Sequence, residues 1–224
     1  MYTKTDMKFL DVPQSGSEAG TTSSRNRFGQ YRRTRATPVN PSSVPQSQAR
    51  ARISANSAGW RALTSVQRAG WTALGAMMQR TDSLGQTYTL TGFLAYVSIN
   101  NNNLAAGNAI VADAPALTTP TALLTATITL TAAALSVAYT TTPLAAGVRL
   151  FSFVSLQRSA GRNFEGDYRL CSVSAAAAAS PANIFAAYQN RFGTPVVGNR
   201  VFFSLQSYQA GFLSAPLMVN QVVA

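Results

Sequence analysis

The chain has 224 residues, with 18 Lys and Arg against 7 Asp and Glu, a formal net charge of +11, and no histidine. Without histidine there is no His-based triad, His metal site or His proton relay, and a single cysteine, Cys171, allows neither an internal disulfide nor a cysteine-based zinc cluster. Hydrophobic residues make up 46% of the chain and charged ones 11%, so a folded core is expected, and the composition points to a scaffold or binder before an enzyme.

The charge is unevenly placed. Residues 1–80 hold twelve bases and three acids, a net of +9, and residues 81–224 hold six bases and four acids, a net of +2. Sixteen of the 18 bases are arginine, which favours multidentate contacts to anions or carboxylates over diffuse lysine charge. A basic front end on a nearly neutral body implies a polyanionic neighbour or an acidic protein partner. Met1–Leu10 has two lysines but no following apolar core of about 7–15 residues, so no secretory signal is expected. No run approaches about 18 apolar residues, so no membrane contact is expected either. A cytosolic origin fits the lone thiol.

Residues 1–42 read as an extended basic arm. The stretch 11–48 is rich in Ser, Thr, Gly, Pro and Gln, and Pro38, Pro41 and Pro45 deny a long helix before about residue 42. Ser24–Arg33 suggests a hairpin turning near Gly29. The segment is either a floppy basic tail or an arm that orders only against neighbouring subunits. Arg25, Arg27, Arg32, Arg33 and Arg35 interleave with Phe28 and Tyr31, a mixture of phosphate contacts and stacking rings, and these seven residues are the candidate partner-contact site.

Residues 43–110 read as a helical segment. Ser43 is placed to cap a first helix with Pro45 in its first turn. Thr64-Ser65-Val66-Gln67 is a T-x-x-Q capping box, and the helix after it is expected to bury Trp71, Leu74 and Met78, with Trp60 and Trp71 facing one small core. Asp82-Ser83-Leu84-Gly85 is a turn, followed by a strand-like Thr87–Leu90. Thr91 caps a third helix with Phe93, Val97, Asn101 and Leu104 on one face, stopped by Gly107; the alternative for Leu90–Ile99 is a strand.

From 111 to 224 the pattern turns to strands. Leu123–Leu130, Leu135–Tyr139, Val148–Leu156, Tyr168–Val173, Val201–Tyr208 and Leu217–Val223 are the candidates, separated by Gly and Pro turn signals, which implies an antiparallel sandwich of about seven strands. Ser180–Phe185 opens a short helix or an irregular crossover. Glu165 and Asp167 are the closest acid pair, readable as a weak cation contact or as a solvated turn near Arg162 or Arg169. Cys171 reads as a buried strand residue with no histidine to activate it. No P-loop, dinucleotide fingerprint or serine elbow occurs, so no enzyme activity, cofactor or metal is expected.

Two resemblances add to this. Val201–Pro216, an alternating strand, a Gly-containing turn and Ser-x-Pro before the last strand, resembles the final hairpin of fibronectin type III-like domains. That implies an α+β chain whose C-terminal half is an Ig/fibronectin-like β-sandwich. Ser15-Gly16-Ser17, Ser24–Tyr31, Pro38-Val39-Asn40-Pro41, Gln48-Ala49-Arg50 and Trp60-x-x-Leu63-Thr64-x-x-Gln67-Arg68-x-x-Trp71 resemble uncharacterised virion structural proteins of tailed bacteriophages and prophages. Such proteins place a basic arm and a helical segment ahead of a sandwich. The implied role is structural, in a tail, head–tail connector or capsid-associated position in the virion. The implied partners are copies of the chain and other virion proteins, with nucleic acid as a further partner of the arm. An accessory DNA-binding protein is the alternative, and a glycan-binding adhesin is a third.

Overall fold

The computed structural model describes residues 15–26, 29–82, 84–140 and 142–224. The chain divides into two compact units, residues 1–46 and 47–224. In the first, β1 (Gly16–Glu18), β2 (Thr21–Asn26) and β3 (Gly29–Thr34) form an antiparallel ribbon in sequence order. Tyr31 stands opposite Ser24 and Arg33 opposite Thr22, and the Arg35 amide extends the pairing by donating to the Gly20 carbonyl at 2.8 Å. Part of the expected arm is therefore a β-ribbon, in which β2 and β3 pair as the expected hairpin does.

The second unit begins within α1 (Val44–Ala62), which takes Pro45 in its first turn. At Thr64 the chain breaks and restarts as α2 (Ser65–Met77). The Gln67 amide donates to the Thr64 hydroxyl at 3.3 Å and the Thr64 amide to the Gln67 side chain at 3.0 Å, a complete capping box. The short hairpin of β4 (Gln79–Thr81) and β5 (Thr87–Thr89) follows, its turn held by Asp82 Oδ1, which accepts from the Leu84 and Gln86 amides, both at 2.8 Å. Thr91 then caps α3 (Gly92–Ala105), so the helical reading of this stretch holds over the strand alternative.

The buried face of α3 differs from expectation. Ala95, Tyr96, Ile99, Asn100 and Asn103 point inward, whereas Phe93 stays 38% exposed, edge-to-face with Trp60. Choosing the stripe by the large apolar residues puts it one position off, because two asparagines belong to the true inner face. Trp71, Leu74, Tyr96 and Ile99 form the centre of a cluster with Leu63 and Phe212, against which Trp60 and Met78 pack half-buried. Met78 lies past the end of α2 instead of inside it.

The remaining strands are antiparallel. β6 (Thr125–Leu130), β7 (Leu135–Thr140) and β10 (Ala182–Asn183) make one sheet in the order β10-β7-β6. β8 (Arg149–Val154) and β9 (Arg169–Val173) join a second sheet centred on β11 (Arg200–Gln209), whose other edge is taken by β12 (Phe212–Leu213) and β13 (Leu217–Val222). Alternation turns Ile128, Leu130, Leu135, Val137 and Tyr139 of the first sheet, and Leu150, Val154, Val201, Phe203 and Leu205 of the second, into one shared core. The expected crossover at 180–185 is both a strand and a helix. After β10, Asn183 Oδ1 accepts from the Phe185 amide at 3.0 Å and starts α4 (Phe185–Phe192), which delivers the fully buried Tyr188 to that core.

The second sheet is covered on its other face too. Tyr208 and Phe151 stack with ring centroids 5.0 Å apart, and Ala105 and Ala106 at the end of α3 pack on that pair. Burial on both faces explains why Val201-Phe202-Phe203 is an unbroken apolar run where a one-sided strand would alternate. The chain is thus α+β, with helices and antiparallel sheets inside one unit, and Phe212 of β12 sits in the same cluster as the tryptophans of the helical segment.

Candidate functional site

The ribbon carries most of the candidate contact residues. Its strands are built from Ser, Thr, Gly and Arg; the β-branched threonines suit a pleated backbone, but no apolar stripe exists to bury. Strand alternation distributes the side chains over two faces. Arg25, Gln30, Arg32 and Thr34 share one face, and Tyr31 and Arg33 share the other, where the alternation also places Arg35. Each of these arginines is exposed and Tyr31 is 41% exposed. Arg27 and Phe28 lie outside the described residues. The ribbon brings Tyr31 and Arg33 together, but separates both from Arg25 and Arg32, so the candidate residues do not form a single patch.

Hydroxyls line the strand opposite the charges. Thr22 faces Arg33, Ser23 faces Arg32 and Ser24 faces Tyr31, while Ser17 of β1 exchanges a 2.8 Å hydrogen bond with Thr22. Chemically the ribbon offers guanidinium forks and hydroxyl donors, a set suited to oxyanions, and one nearby carboxylate, Glu18, at the end of β1.

The body holds its acids differently from the expected solvated turn at Glu165. That carboxylate is only 3% exposed. It accepts from Arg158 Nε and from the amides of Gly166 at 3.0 Å and Asp167 at 3.1 Å, with Arg162 Nη2 at 3.6 Å. The Arg158 hydrogen bond and then the Asp167 amide hold its pKa down to about 2, well below the usual carboxylate range, against the opposing effect of burial. Arg158 and Arg200 exchange backbone hydrogen bonds of 2.9 and 2.7 Å, and Arg200 Nη1 donates to Asn163 Oδ1 at 2.9 Å. Glu165 therefore anchors the loop between β8 and β9 onto the start of β11. The expected neighbours are in place, Arg162 beside Glu165 and Arg169 paired with Asp167 at 2.9 Å on the surface, but Glu165 itself is buried and not part of a solvated turn.

No group of three or more His, Cys, Asp or Glu side chains able to hold a metal occurs among the described residues. Cys171 on β9 packs half-buried against the shared core, and burial pushes its thiol up to about 11, so at neutral pH it is protonated and a poor nucleophile. A groove between β4 and β12 is lined by Met77, Met78, Ile99, Phe212 and Pro216, with Arg80 as its single charged residue, and so presents no acid–base pair. Among the described residues no helix is long and apolar enough to cross a membrane.

No family model, curated protein or solved structure matches the chain.

Sequence reasoning missed one set of residues, which ties the helical segment to the second sheet. Asn100 and Asn103, fully and nearly fully buried, join α3 to the second sheet. Asn100 Oδ1 accepts from the Val111 amide at 2.8 Å and its Nδ2 donates to the Val111 carbonyl at 3.1 Å. Asn103 Nδ2 donates to Asn100 Oδ1 at 3.3 Å, and the Tyr208 hydroxyl donates to Asn103 Oδ1 at 2.6 Å while accepting from Asn108 Nδ2 at 2.9 Å. The run of four asparagines at 100–103 was the visible signal, since amides in a helix interior need specific partners.

Proposed function

We propose that the chain is a non-enzymatic structural protein of a tailed-phage virion, in a tail, head–tail connector or capsid-associated position. Its partners are copies of itself and other virion proteins. One observation carries this reading: a three-stranded ribbon without an apolar face precedes a unit that holds three hydrophobic clusters of its own. A small sheet with nothing to bury is marginal in water, and edge strands such as β1 and β3 are templates for a neighbouring chain. Strand addition onto a neighbouring subunit supplies the missing pairing and offsets an ordering cost of about 1–2 kcal/mol per backbone residue.

The finer architecture belongs to the same reading. The sheet of β6, β7 and β10 is one layer of an Ig/fibronectin-like sandwich, and the sheet centred on β11 is the other. The outward residues of β6, Thr125, Thr127 and Thr129, are exposed and uncharged, which suits a surface that tiles against protein. Removing residues 1–36 tests the assembly role. Sedimentation and electron microscopy should show a folded body that no longer joins the assemblies formed by the full chain. Assembly that proceeds unchanged without the segment would refute the role.

A further inference from the structure

We infer that the faces of the N-terminal ribbon bind the phosphate backbone of duplex DNA, without base specificity. The first argument is where the charge lies. Arg25 and Arg32 project from one face and Arg33 and Arg35 from the other, so one flat acidic surface can meet only half of them. A duplex groove has phosphates on both walls and engages both faces at once. β1 pairs only with Thr21–Ser23, so Arg32 and Arg33 lie in the three-stranded part and flank a distal end, with Arg25 and Tyr31, that is a two-stranded ribbon. The major groove, about 12 Å wide, admits an element of that size.

The second argument is what the ribbon lacks. From Ser15 to Arg35, the described residues with an apolar or aromatic side chain are Ala19 and Tyr31. The buried centre of a protein–protein interface is apolar and poor in charge, so these faces are a poor match for a protein surface. Phosphate recognition needs no apolar surface. It uses guanidinium forks together with Ser and Thr hydroxyls, the pairing that the register creates by setting Thr22 opposite Arg33 and Ser23 opposite Arg32.

Third, residues 47–224 of a second copy are a poor source of negative charge. Residues 47–224 contain eleven arginines and four acids, a net of +7. Each of the four is already engaged: Glu165 by Arg158 and Arg162, Asp167 by Arg169, Asp113 by Gln67, and Asp82 by the amides of its own turn. Residues 47–224 of another copy therefore offer the ribbon no unengaged acid, and the net charge of that unit repels it. This inference does not rest on the virion reading: edge pairing between subunits and phosphate binding by the faces succeed or fail separately.

The test is fluorescence anisotropy of the full chain with a labelled duplex of about 30 base pairs, titrated between about 50 and 200 mM salt. The variant Arg25→Gln, Arg33→Gln, Arg35→Gln should lower the log–log salt slope by about 3, close to 0.9 for each phosphate that is no longer neutralised, and equally on two unrelated sequences. Replacing the same three residues with lysine should leave the slope near that of the native chain, which separates loss of charge from loss of the ribbon. An unchanged slope in the glutamine variant would overturn the inference. So would polyglutamate that competes as well as DNA at equal charge, or a single strand that binds more tightly than the duplex.

Discussion

Gly211, in the turn between β11 and β12, lies close against α3. Its φ is +90°, a conformation that costs an alanine about 1 kcal/mol. A Cβ there would overlap the Ile99 Cγ2 methyl and lie 3.2 Å from both the Ile99 carbonyl oxygen and Asn103 Oδ1. Ile99 is 1% exposed and has no room to yield, so overpacking adds about 1–3 kcal/mol. The same shift strains the 2.8 Å hydrogen bond from Asn102 Nδ2 to the Gly211 carbonyl. Gly211→Ala is therefore expected to destabilise by about 2–4 kcal/mol. Gly198 is the internal control: its φ is +87° but nothing lies within 4 Å of the Cβ position, so Gly198→Ala should lose only the backbone part, about 1 kcal/mol. Equilibrium urea unfolding, followed by tryptophan fluorescence for the helical cluster and by far-UV circular dichroism, measures both. Equal losses in the two variants would show that α3 does not press on this turn and would refute the single-unit description of residues 47–224.

Three further outcomes follow from the same packing. Tyr208→Phe keeps the stack on Phe151 but strips Asn103 Oδ1 of its donor in a buried site, and should cost about 1–3 kcal/mol in the same urea assay; a neutral result would deny the network. Glu165 is held near pKa 2 in the folded chain against an ordinary value of 4.5, so its contribution is complete above about pH 4.5 and is lost as pH falls toward 2. Acid titration of stability should show that loss in the native chain and a flatter curve in Glu165→Gln, and identical curves would contradict the buried pairing. Cys171 should react slowly with a thiol-specific disulfide reagent at pH 8 and rapidly once urea unfolds the chain; fast reaction in the native state would contradict its elevated pKa.

Local signals were legible in the sequence because their physics is local. The Thr64–Gln67 box and the Thr91 cap each involve groups three residues apart, and the structure forms both. β6 and β7 were located by alternation, since apolar residues at every second position report a buried face, and β8, β9, β11 and β13 as short runs of strand-forming residues between Gly and Pro turn signals. β1 and β4 escaped notice because each is a three-residue polar strand with no apolar alternation. The inner face of α3 was misassigned for a different reason. Asn100 and Asn103 are tolerable inside only because Val111 and Tyr208 satisfy them, and Tyr208 is 105 residues away from Asn103.

The candidate contact site was legible as a list of residues but not as a shape. That Arg25 and Arg33 leave opposite faces follows from the register that sets Ser24 against Tyr31, which composition does not contain. Glu165 likewise looked like a loop acid, because Arg158 reaches it only once Arg158 pairs with Arg200 across the sheet.

The most direct test of the proposed role is to search for the chain by mass spectrometry in purified, nuclease-treated virus particles released by cells that produce it. The structural role predicts many copies per particle, at a fixed ratio to the major virion proteins and retained through gradient purification. A chain abundant in infected cells but absent from purified particles would contradict it.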